Sequence, residues 1–367
     1  MESLILFGGS FNPIHNGHLR IARAASLRMN AEVIFVPNAK PRWKNPEVSG
    51  KDRLAMLQAA LKADGSPSFS ISRFELDENA EVHYWIDTLR HFKKRYPKMR
   101  LYFLIGADSV NSFPEWEKPD ECASLATPLY VSRPGVELND AVLTKYHMRR
   151  LDYDGAGPVS SSKVRTLQSI DVPLVVREYI ESHGLYYMAK IKELIGERRL
   201  AHSVSVANLA YHIAVKSRLD DPQAAYIAGL LHDCGKNYPK EEAKAILEKE
   251  FPELADQMPE WTYHQFAGAY IAKEVFGIED EAILSAIRYH ATGKAHMAPL
   301  SKIIYAADKA DPARGYDSSA LIAACYKNYY LGFLTVLDAN RDYLKEKGYV
   351  LDNPLTKECM ELYLGEY

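Results

Sequence analysis

The chain has 367 residues, of which 47% are hydrophobic and 25% are charged, and its formal net charge is -3. This length predicts two or three domains rather than one core, and the composition excludes a disordered or fibrous protein. The small net charge excludes a general electrostatic attraction to nucleic acid or to an anionic membrane, so we expect any anion site to be local.

The cysteines and the N-terminal segment indicate a cellular compartment. The 4 cysteines are scattered without CxxC pairing, which argues against a disulfide framework and a zinc knuckle. The start, MESLILFGGS, is typical of a short buried strand rather than a leader, and no apolar run approaches the roughly 20 residues of a membrane span. We expect a cytoplasmic protein with no membrane or nucleic-acid partner, and a homo-oligomer is left open.

Residues 1–187 alternate short β-rich runs with amphipathic helical runs. The predicted strands are SLILFG, AEVIFVP, FSISRFE, RLYFLIG and TPLYVSR. The predicted helices include GHLRIARAASLR, DRLAMLQAALKA and HYWIDTLRHFKKR. This alternation predicts an α/β fold in which helices cover both faces of a parallel sheet, and ligands of such folds bind at the carboxyl ends of the strands.

The run GGSFNPIHNGHLRIA follows the first predicted strand and opens a helix. Backbone N–H groups and the helix dipole favour a phosphate at such a junction. Gly8 and Gly9 let the backbone approach a ligand, and the spacing of His15 and His18 places both imidazoles near the helix start. The run matches neither the P-loop pattern nor GxGxxG. The alternative is a histidine pair on the protein surface that binds no ligand.

This run resembles the phosphate-binding signature of the HxGH nucleotidyltransferases, and residues 1–187 resemble the nicotinate mononucleotide adenylyltransferases of bacterial NAD synthesis. Supporting stretches are VPNAKPRWK, DRLAML, IDTL, FLIGADSVNSFPEW, SRPG, VSSSKVR and VVREYIESHGLY. The resemblance implies a Rossmann-like domain that transfers the adenylyl group of ATP, with Mg²⁺, to nicotinate mononucleotide and releases pyrophosphate. Such chemistry needs in-line positioning and charge neutralisation more than a covalent nucleophile.

The same resemblance implies roles for individual residues. His15 and His18 would hold the ATP phosphates, and Arg165 would grip the triphosphate. Asp108 would bind a ribose, and Trp116 would either stack on the nicotinate ring or pack in the core. The implied substrate-binding residues are Gly8, Gly9, Ser10, Lys44, Asp108, Trp116, Arg133, Ser160 and Ser161.

Two positions depart from the family pattern. Many relatives carry Asp at the position of Asn12, and a histidine is frequent at the position of Trp43. A charged role at position 12 is therefore excluded, although the histidine pair is intact. The non-enzymatic alternative for this half is a nucleotide-binding module that has lost its chemistry.

After Tyr187 the predicted strands end. Helical periodicity continues through PQAAYIAGLLHD, KEEAKAILEKEF, HQFAGAYIAKEVFG, DEAILSAIRYHA and PLSKIIYAADKA. We predict an all-helical second domain over residues 188–367. No glycine- or serine-rich run separates the two halves.

The string AGLLHDCGK places His232 and Asp233 directly after an apolar helical run. An isolated buried charge is costly there unless it is paired or bound to a metal. With His202 upstream and Asp308 downstream, the doublet resembles the HD superfamily of metal-dependent phosphohydrolases. The metal-ligand set implied here is His202, His232, Asp233, His264, His290 and Asp308.

Imidazole and carboxylate ligands suit Fe, Mn, Zn or Co. We expect His264 and His290 to hold a second ion, bridged by Asp233 to an ion on the other ligands, so that two ions activate water and clamp a phosphate. Asp233 and Lys236 are expected to be catalytic. Arg314 is expected to bind the substrate phosphate.

Within the HD superfamily, the extra histidine pair, AIRYHATG and ADKADPAR resemble the symmetrical diadenosine tetraphosphate hydrolases, which release two ADP. Two alternatives stay open: a phosphatase or phosphodiesterase acting on another nucleotide, and a non-catalytic nucleotide sensor. His212 and His296 fit no ligand pattern and are expected to be core residues.

Overall fold

The structure, a computed structural model, forms two compact units: residues 1–165 with 169–186, and residues 166–168 with 187–367. The predicted site residues Lys44 and Arg133, and Trp43, lie outside the described residues. Within the described part of the chain, no helix has the length and apolar character that a membrane span needs. The described residues are 3–39, 48–77, 84–132, 135–153, 159–348 and 353–365.

The first unit contains a parallel sheet. Its strands are β1 (Ser3–Gly9), β2 (Glu32–Pro37), β3 (Phe69–Ile71), β4 (Arg100–Gly106), β5 (Thr127–Val131) and β6 (Arg149–Arg150). Their order is β3-β2-β1-β4-β5-β6. Strands β1, β2 and β3 follow one another towards one edge of the sheet, and β4, β5 and β6 towards the other edge. The direction therefore changes between β1 and β4. Ligands of such folds bind at the carboxyl ends of the two strands that flank this switch point.

Most helices of the first unit lie between successive strands along the chain, and the last two follow β6. They are α1 (Asn16–Met29), α2 (Gly50–Asp64), α3 (Phe74–Asp77), α4 (Trp85–Arg95), α5 (Ala107–Ser112), α6 (Pro119–Leu125), α7 (Asp140–Lys145), α8 (Ser161–Arg165) and α9 (Leu174–His183). The α/β prediction is confirmed, with two differences in detail. Only three residues of FSISRFE pair as a strand before α3 begins, and the short strand β6 was not predicted.

The second unit is helical throughout its described part, as predicted. Its helices are α10 (Tyr187–Lys216), α11 (Pro222–Leu231), α12 (Lys240–Glu250), α13 (Pro252–Ala255), α14 (Tyr263–Glu274), α15 (Glu281–Arg288), α16 (Pro299–Lys309), α17 (Ser319–Lys327), α18 (Tyr329–Glu346) and α19 (Pro354–Leu364). Gly196 has φ 75° and interrupts α10.

Helix α11 occupies the centre of the second unit. It contacts α10, α14, α15 and α16, and every residue from Ala224 to Leu231 is buried. A helix that is apolar on all sides is stable only when other elements surround it. The HD doublet therefore follows the end of an enclosed helix, where neighbouring helices can each supply a side chain.

Candidate functional site

His15, at the end of the loop between β1 and α1, and His18, in the first turn of α1, lie near the carboxyl edge of the sheet. Their rings are stacked with centroids 3.6 Å apart. Nδ1 of His18 accepts a hydrogen bond from the backbone N–H of His15 over 3.2 Å. A neutral His18 ring therefore carries its proton on Nε2, at the positive end of the α1 dipole. This arrangement offers a donor to an anion such as a phosphate.

Arg165 and Ser161 hold the loop that precedes His15. Nη1 of Arg165 donates to the carbonyl oxygen of Asn12 over 2.8 Å, and Oγ of Ser161 donates to that of Pro13 over 2.9 Å. The Asn12 side chain accepts a hydrogen bond from the Tyr186 hydroxyl over 2.6 Å. Arg165 and Ser161 thus fix the shape of the loop, and their contact with a triphosphate stays a prediction.

Arg53 is a buried residue that our sequence analysis missed. Its guanidinium donates to the carbonyl oxygens of Ser10 over 2.6 Å and of Asn38 over 2.7 Å. Burial lowers the pKa of Arg53, but an arginine keeps its charge inside proteins. Arg53 joins the loop after β1 to the loop after β2. The only sequence signal was a charged residue within the helical string DRLAML.

Three residues predicted to approach the ligand lie at the carboxyl ends of β1 and β4. Gly8 and Gly9 end β1, and Asp108 lies in the first turn of α5, directly after β4. A Cβ added to Gly8 would lie 2.6 Å from the Trp85 ring. Glycine at position 8 is therefore required by the packing of Trp85, whatever ligand binds nearby.

Trp116 and Ser160 also have contacts within the protein. Trp116 is half-buried, and its ring centroid lies 5.0 Å from that of Phe113. Oγ of Ser160 accepts a hydrogen bond from the backbone N–H of Lys163 over 3.2 Å. Such contacts are compatible with packing or with ligand binding, so both substrate roles stay predictions.

In the second unit, the structure brings the six predicted metal ligands together. Potential ligand atoms lie within 4.8 Å of one another in two groups: His202, His232 and Asp308, and His232, Asp233 and His290. His264 adjoins the second group, since its Nε2 lies 3.2 Å from Nε2 of His290 and 3.6 Å from Oδ1 of Asp233. His232, rather than Asp233, is common to both groups.

Backbone carbonyls orient three of the imidazoles. Each Nδ1 lies within hydrogen-bonding distance of the carbonyl oxygen three residues earlier, which leaves the lone pair on Nε2. Nε2 of His232 is buried and has no hydrogen-bond partner among the described residues. A bound metal would remove the free-energy cost of that unpaired atom. The pairs are His232 with Gly229 at 2.7 Å, His264 with Trp261 at 2.8 Å and His290 with Ile287 at 2.8 Å.

Asp311 orients the fourth imidazole and is a second residue that our sequence analysis missed. Its Oδ2 lies 2.5 Å from Nδ1 of His202, whose Nε2 lies 3.2 Å from Oδ1 of Asp308. Asp311 is fully buried and also accepts hydrogen bonds from Ser205 and from the backbone of Ala313. Carboxylates commonly support metal-binding histidines in this way. The sequence signal was a second acid, three residues after Asp308 in ADKADPAR.

Most protonation states of the cluster suit metal binding, and His202 is the exception. Burial lowers the pKa of His202, but hydrogen bonds to Asp308 and Asp311 more than offset this and raise it to about 9, so this ring must release a proton to bind a metal ion. Burial raises the pKa of Asp233, but the neighbouring His232, His290 and Lys236 more than offset this, so its pKa is below the ordinary value. Burial lowers the pKa values of His264 and His290. Charged carboxylates and neutral imidazoles are the forms that bind metal ions. We therefore conclude that this donor set fits divalent transition metals.

Cations surround the same cluster. Arg314 contacts Oδ1 of Asp308 and donates from Nε to the Asp308 carbonyl oxygen over 2.8 Å. Nζ of Lys236 lies 3.8 Å from Oδ1 of Asp233. Lys309, which was not predicted, places Nζ 3.4 Å from Oδ2 of Asp308. Arg314 and Lys236 are therefore paired with ligand acids here, and their contact with a substrate phosphate stays a prediction.

His212 and His296 lie outside both ligand groups, but neither is a core residue. Both side chains are exposed, so the prediction of core positions was wrong. Both residues therefore present a large part of their surface to solvent. His212 therefore offers a matched control for substitutions of the buried histidines.

Replacing Gly235 with alanine is expected to destabilise the second unit. An added Cβ would lie 2.1 Å from the carbonyl oxygen of His264 and 2.6 Å from the backbone nitrogen of Gly268. Overpacking of this kind costs about 1–3 kcal/mol or more. Denaturant unfolding measures the loss. Gly106→Ala is the control, because nothing lies within 4 Å of its added Cβ, and an equal loss in both variants would contradict the prediction.

Replacing Asp311 with alanine is expected to lower metal affinity about 10- to 100-fold, the usual effect of losing the partner of a ligating histidine. The physical reason is that the His202 ring loses the carboxylate that fixes its orientation. Competition with a chelator of known affinity measures the change. Asp317→Ala removes an exposed acid from the same region, and we expect it to bind metal as the unaltered protein does.

Comparison with known proteins agrees with the division of the chain into two units. A cytidylyltransferase-like family matches residues 6–167, and an HD domain family matches residues 199–313. A Mycoplasma pneumoniae protein named "Probable nicotinate-nucleotide adenylyltransferase/Ap4A hydrolase" is 33% identical over 345 residues, 91% of this chain and 97% of its own length. The Mycoplasma genitalium protein of the same name is 31% identical over 356 residues, 94% and 99% of the two chains.

Among solved structures, one with a similar sequence covers about half of the chain. It is described as a predicted HD superfamily hydrolase involved in NAD metabolism from Clostridium acetobutylicum, with 31% identity and a TM-score of 0.44, and the match covers 52% of this chain and 97% of that one. The two full-length relatives decide the assignment. The chain belongs to their family, in which a cytidylyltransferase-like domain is followed by an HD domain.

Proposed function

We propose that the chain carries two enzymatic activities. Residues 1–187 adenylylate nicotinate mononucleotide with ATP, giving nicotinate adenine dinucleotide and pyrophosphate. Residues 188–367 hydrolyse diadenosine tetraphosphate to two ADP in a metal-dependent reaction. The names of the two full-length relatives support this pairing. The observation that carries the hydrolase proposal is the convergence of His202, Asp233, His290 and Asp308 on the buried His232, with His264 beside His290 and Asp233.

In the first reaction, a phosphate oxygen of nicotinate mononucleotide attacks the α-phosphorus of ATP, and pyrophosphate leaves. His15 and His18 bind the ATP phosphates, with Nε2 of His18 as a donor. Arg165 and Arg53 hold the loop between β1 and α1 in place. Arg165 donates to the carbonyl oxygen of Asn12, and Arg53 donates to that of Ser10. Mg²⁺ accompanies ATP and neutralises part of its charge. These residues act by position and charge, without a covalent intermediate.

In the second reaction, the chain supplies ligands, orientation and positive charge. The two ligand groups and His264 hold divalent ions, for which Fe, Mn, Zn and Co are the candidates. Such ions, when bound, lower the pKa of a water molecule and stabilise charge on the attacked phosphate. Oδ1 of Asp233 lies 3.6 Å from Nε2 of His264 and 3.5 Å from Nε2 of His290, and its Oδ2 lies 3.8 Å from Nε2 of His232. Asp311 orients the His202 ring. Lys236 and Arg314 bind the phosphate oxygens of the substrate.

The hydrolase is tested with protein purified without chelator and analysed for bound metals. Diadenosine tetraphosphate should yield ADP alone; ATP with AMP would show asymmetric cleavage and contradict the assignment. A panel of other nucleotides tests the second possibility, a phosphatase or phosphodiesterase of different substrate. Stoichiometric metal without turnover of any nucleotide would instead favour a sensor.

The transferase is tested by pyrophosphate release from ATP and nicotinate mononucleotide in the presence of Mg²⁺. Nicotinamide mononucleotide serves as the parallel substrate and measures the preference between the acid and the amide. Nucleotide binding without pyrophosphate release would contradict the proposal and favour a binding module. The outcome of this transferase assay does not change the test of the hydrolase, because both ligand groups belong to the second unit.

A further inference from the structure

An exposed tryptophan lies three residues before one of the predicted metal ligands. Trp261 belongs to a short 3-10 helix, Glu260–Thr262, that runs directly into α14, and its side chain is 53% exposed. Thr262 between them has helical backbone angles, φ -90° and ψ -16°. Residues three apart on a helical backbone share a face, so Trp261 lies on the face that carries His264. Its carbonyl oxygen is also the group that accepts from His264 Nδ1.

An exposed phenol lies beside the other ligand group. Tyr316 follows the turn that contains Arg314, and its side chain is 47% exposed. Its hydroxyl donates to the carbonyl oxygen of Lys309, the residue after Asp308. Arg314 contacts the Asp308 carboxylate from the same turn. Tyr316 is therefore held close to Asp308, as Trp261 is held close to His264.

Each ring accompanies a cation. Nζ of Lys236 lies 3.5 Å from Nδ1 of His264, the atom that contacts the Trp261 carbonyl oxygen, and Arg314 lies two residues before Tyr316. A single exposed aromatic residue is common on protein surfaces and needs no explanation. Two of them, each beside a ligand and a cation, match a molecule with a planar group at either end and phosphates between.

We propose that Trp261 and Tyr316 are stacking platforms for the two purine bases of a dinucleoside polyphosphate. This inference rests on the proposed hydrolase function and names the residues that bind the two bases of its substrate. Aromatic faces stack on any base, and arginine and lysine bind phosphate oxygens. The arrangement favours a substrate with a base at both ends over an inorganic polyphosphate or a mononucleotide.

The test measures KM for diadenosine tetraphosphate with full-length, metal-loaded protein and without ATP or nicotinate mononucleotide. Loss of one stacked base should raise KM about 5- to 100-fold in Trp261→Ala and in Tyr316→Ala, with kcat changed far less. Trp261→Phe and Tyr316→Phe keep an aromatic ring and should stay near the unaltered value. Tyr343→Ala removes a ring that is 54% exposed on α18 and is the control.

Competitive inhibition of the same reaction separates the base from the phosphates. The inhibition constant of ADP should rise in Trp261→Ala, while that of pyrophosphate, which has no base, should not change at fixed free metal concentration. Equal changes for both inhibitors, or unchanged KM in both alanine variants, would overturn the inference. These results would leave the proposed hydrolase in place.

A binding measurement tests the inference even if the protein cuts no dinucleotide, a result that would refute only the proposed function. Trp261 is the single tryptophan after residue 187; the others are Trp43, Trp85 and Trp116. We expect ADP, and not pyrophosphate, to quench a component of the fluorescence that is missing from Trp261→Phe. Identical quenching by ADP in the two proteins would overturn the stacking role of Trp261.

Discussion

Replacing His232 with alanine is expected to abolish metal-dependent hydrolysis while pyrophosphate release by the first unit continues. His232 is the ligand common to both groups, so its loss should weaken binding of both ions. Loss of a partner that merely supports a ligand costs about 10- to 100-fold in metal affinity or activity, and we expect a larger effect for the ligand itself. Metal analysis and assays of both reactions on one preparation measure the outcome.

His212→Ala is the matched control, because it removes an exposed histidine of α10 from the same unit. His232 is fully buried, so a thermal unfolding curve must accompany its variant. Chelator treatment of the unaltered protein removes the metals without any substitution and should give the same selective loss of hydrolysis. Full hydrolysis by folded His232→Ala protein would refute the metal-ligand role.

Replacing His18 is expected to stop adenylyl transfer and leave hydrolysis unchanged. Removing one oriented group that stabilises transition-state charge commonly costs about 10²–10³ in rate. His18 also accepts the backbone N–H of His15 through Nδ1, so alanine would remove a helix cap together with the phosphate donor. Asparagine retains an acceptor near the position of Nδ1 and lacks Nε2. The pair His18→Ala and His18→Asn therefore separates the two roles.

Both variants should lose pyrophosphate release by a similar factor if Nε2 contacts the phosphates. The alanine variant alone should lose about 0.5–2 kcal/mol of stability, the usual cost of a missing cap. A stopped assay of pyrophosphate and a denaturant titration give the two quantities. An active His18→Asn protein would show that the histidine is needed only for the helix start.

The sequence predicted the fold class because strand and helix periodicities alternate cleanly before Tyr187 and only helices follow. Its errors are short or peripheral. FSISRFE has an alternating pattern, yet only Phe69–Ile71 pair, at the edge of the sheet, and the chain then turns into α3. Strand β6 consists of two arginines, and two charged residues give no strand signal.

The clustering of the predicted metal ligands could be expected from the sequence because histidine and aspartate are conspicuous in apolar helices, where they need a partner. Their supporting groups were less visible. Asp308 and Asp311 are one turn apart in a single string, and sequence alone does not tell the ligand from its neighbour. Arg314 was expected to face a phosphate but contacts Asp308, since a nearby carboxylate satisfies the same charge. Arg53 donates to backbone carbonyl oxygens, and a sequence does not show which backbone groups lie near a side chain.

The carbonyl oxygens that aim three of the imidazoles have an evolutionary consequence. Every amino acid has a carbonyl, so substitutions at the residues that supply these oxygens do not remove the acceptor, provided that the helix ends keep their path. The orientation of each imidazole ring is therefore kept when the side chains that line the site are substituted. Such a scaffold can exchange the side chains that meet its substrate while its metal centre stays the same.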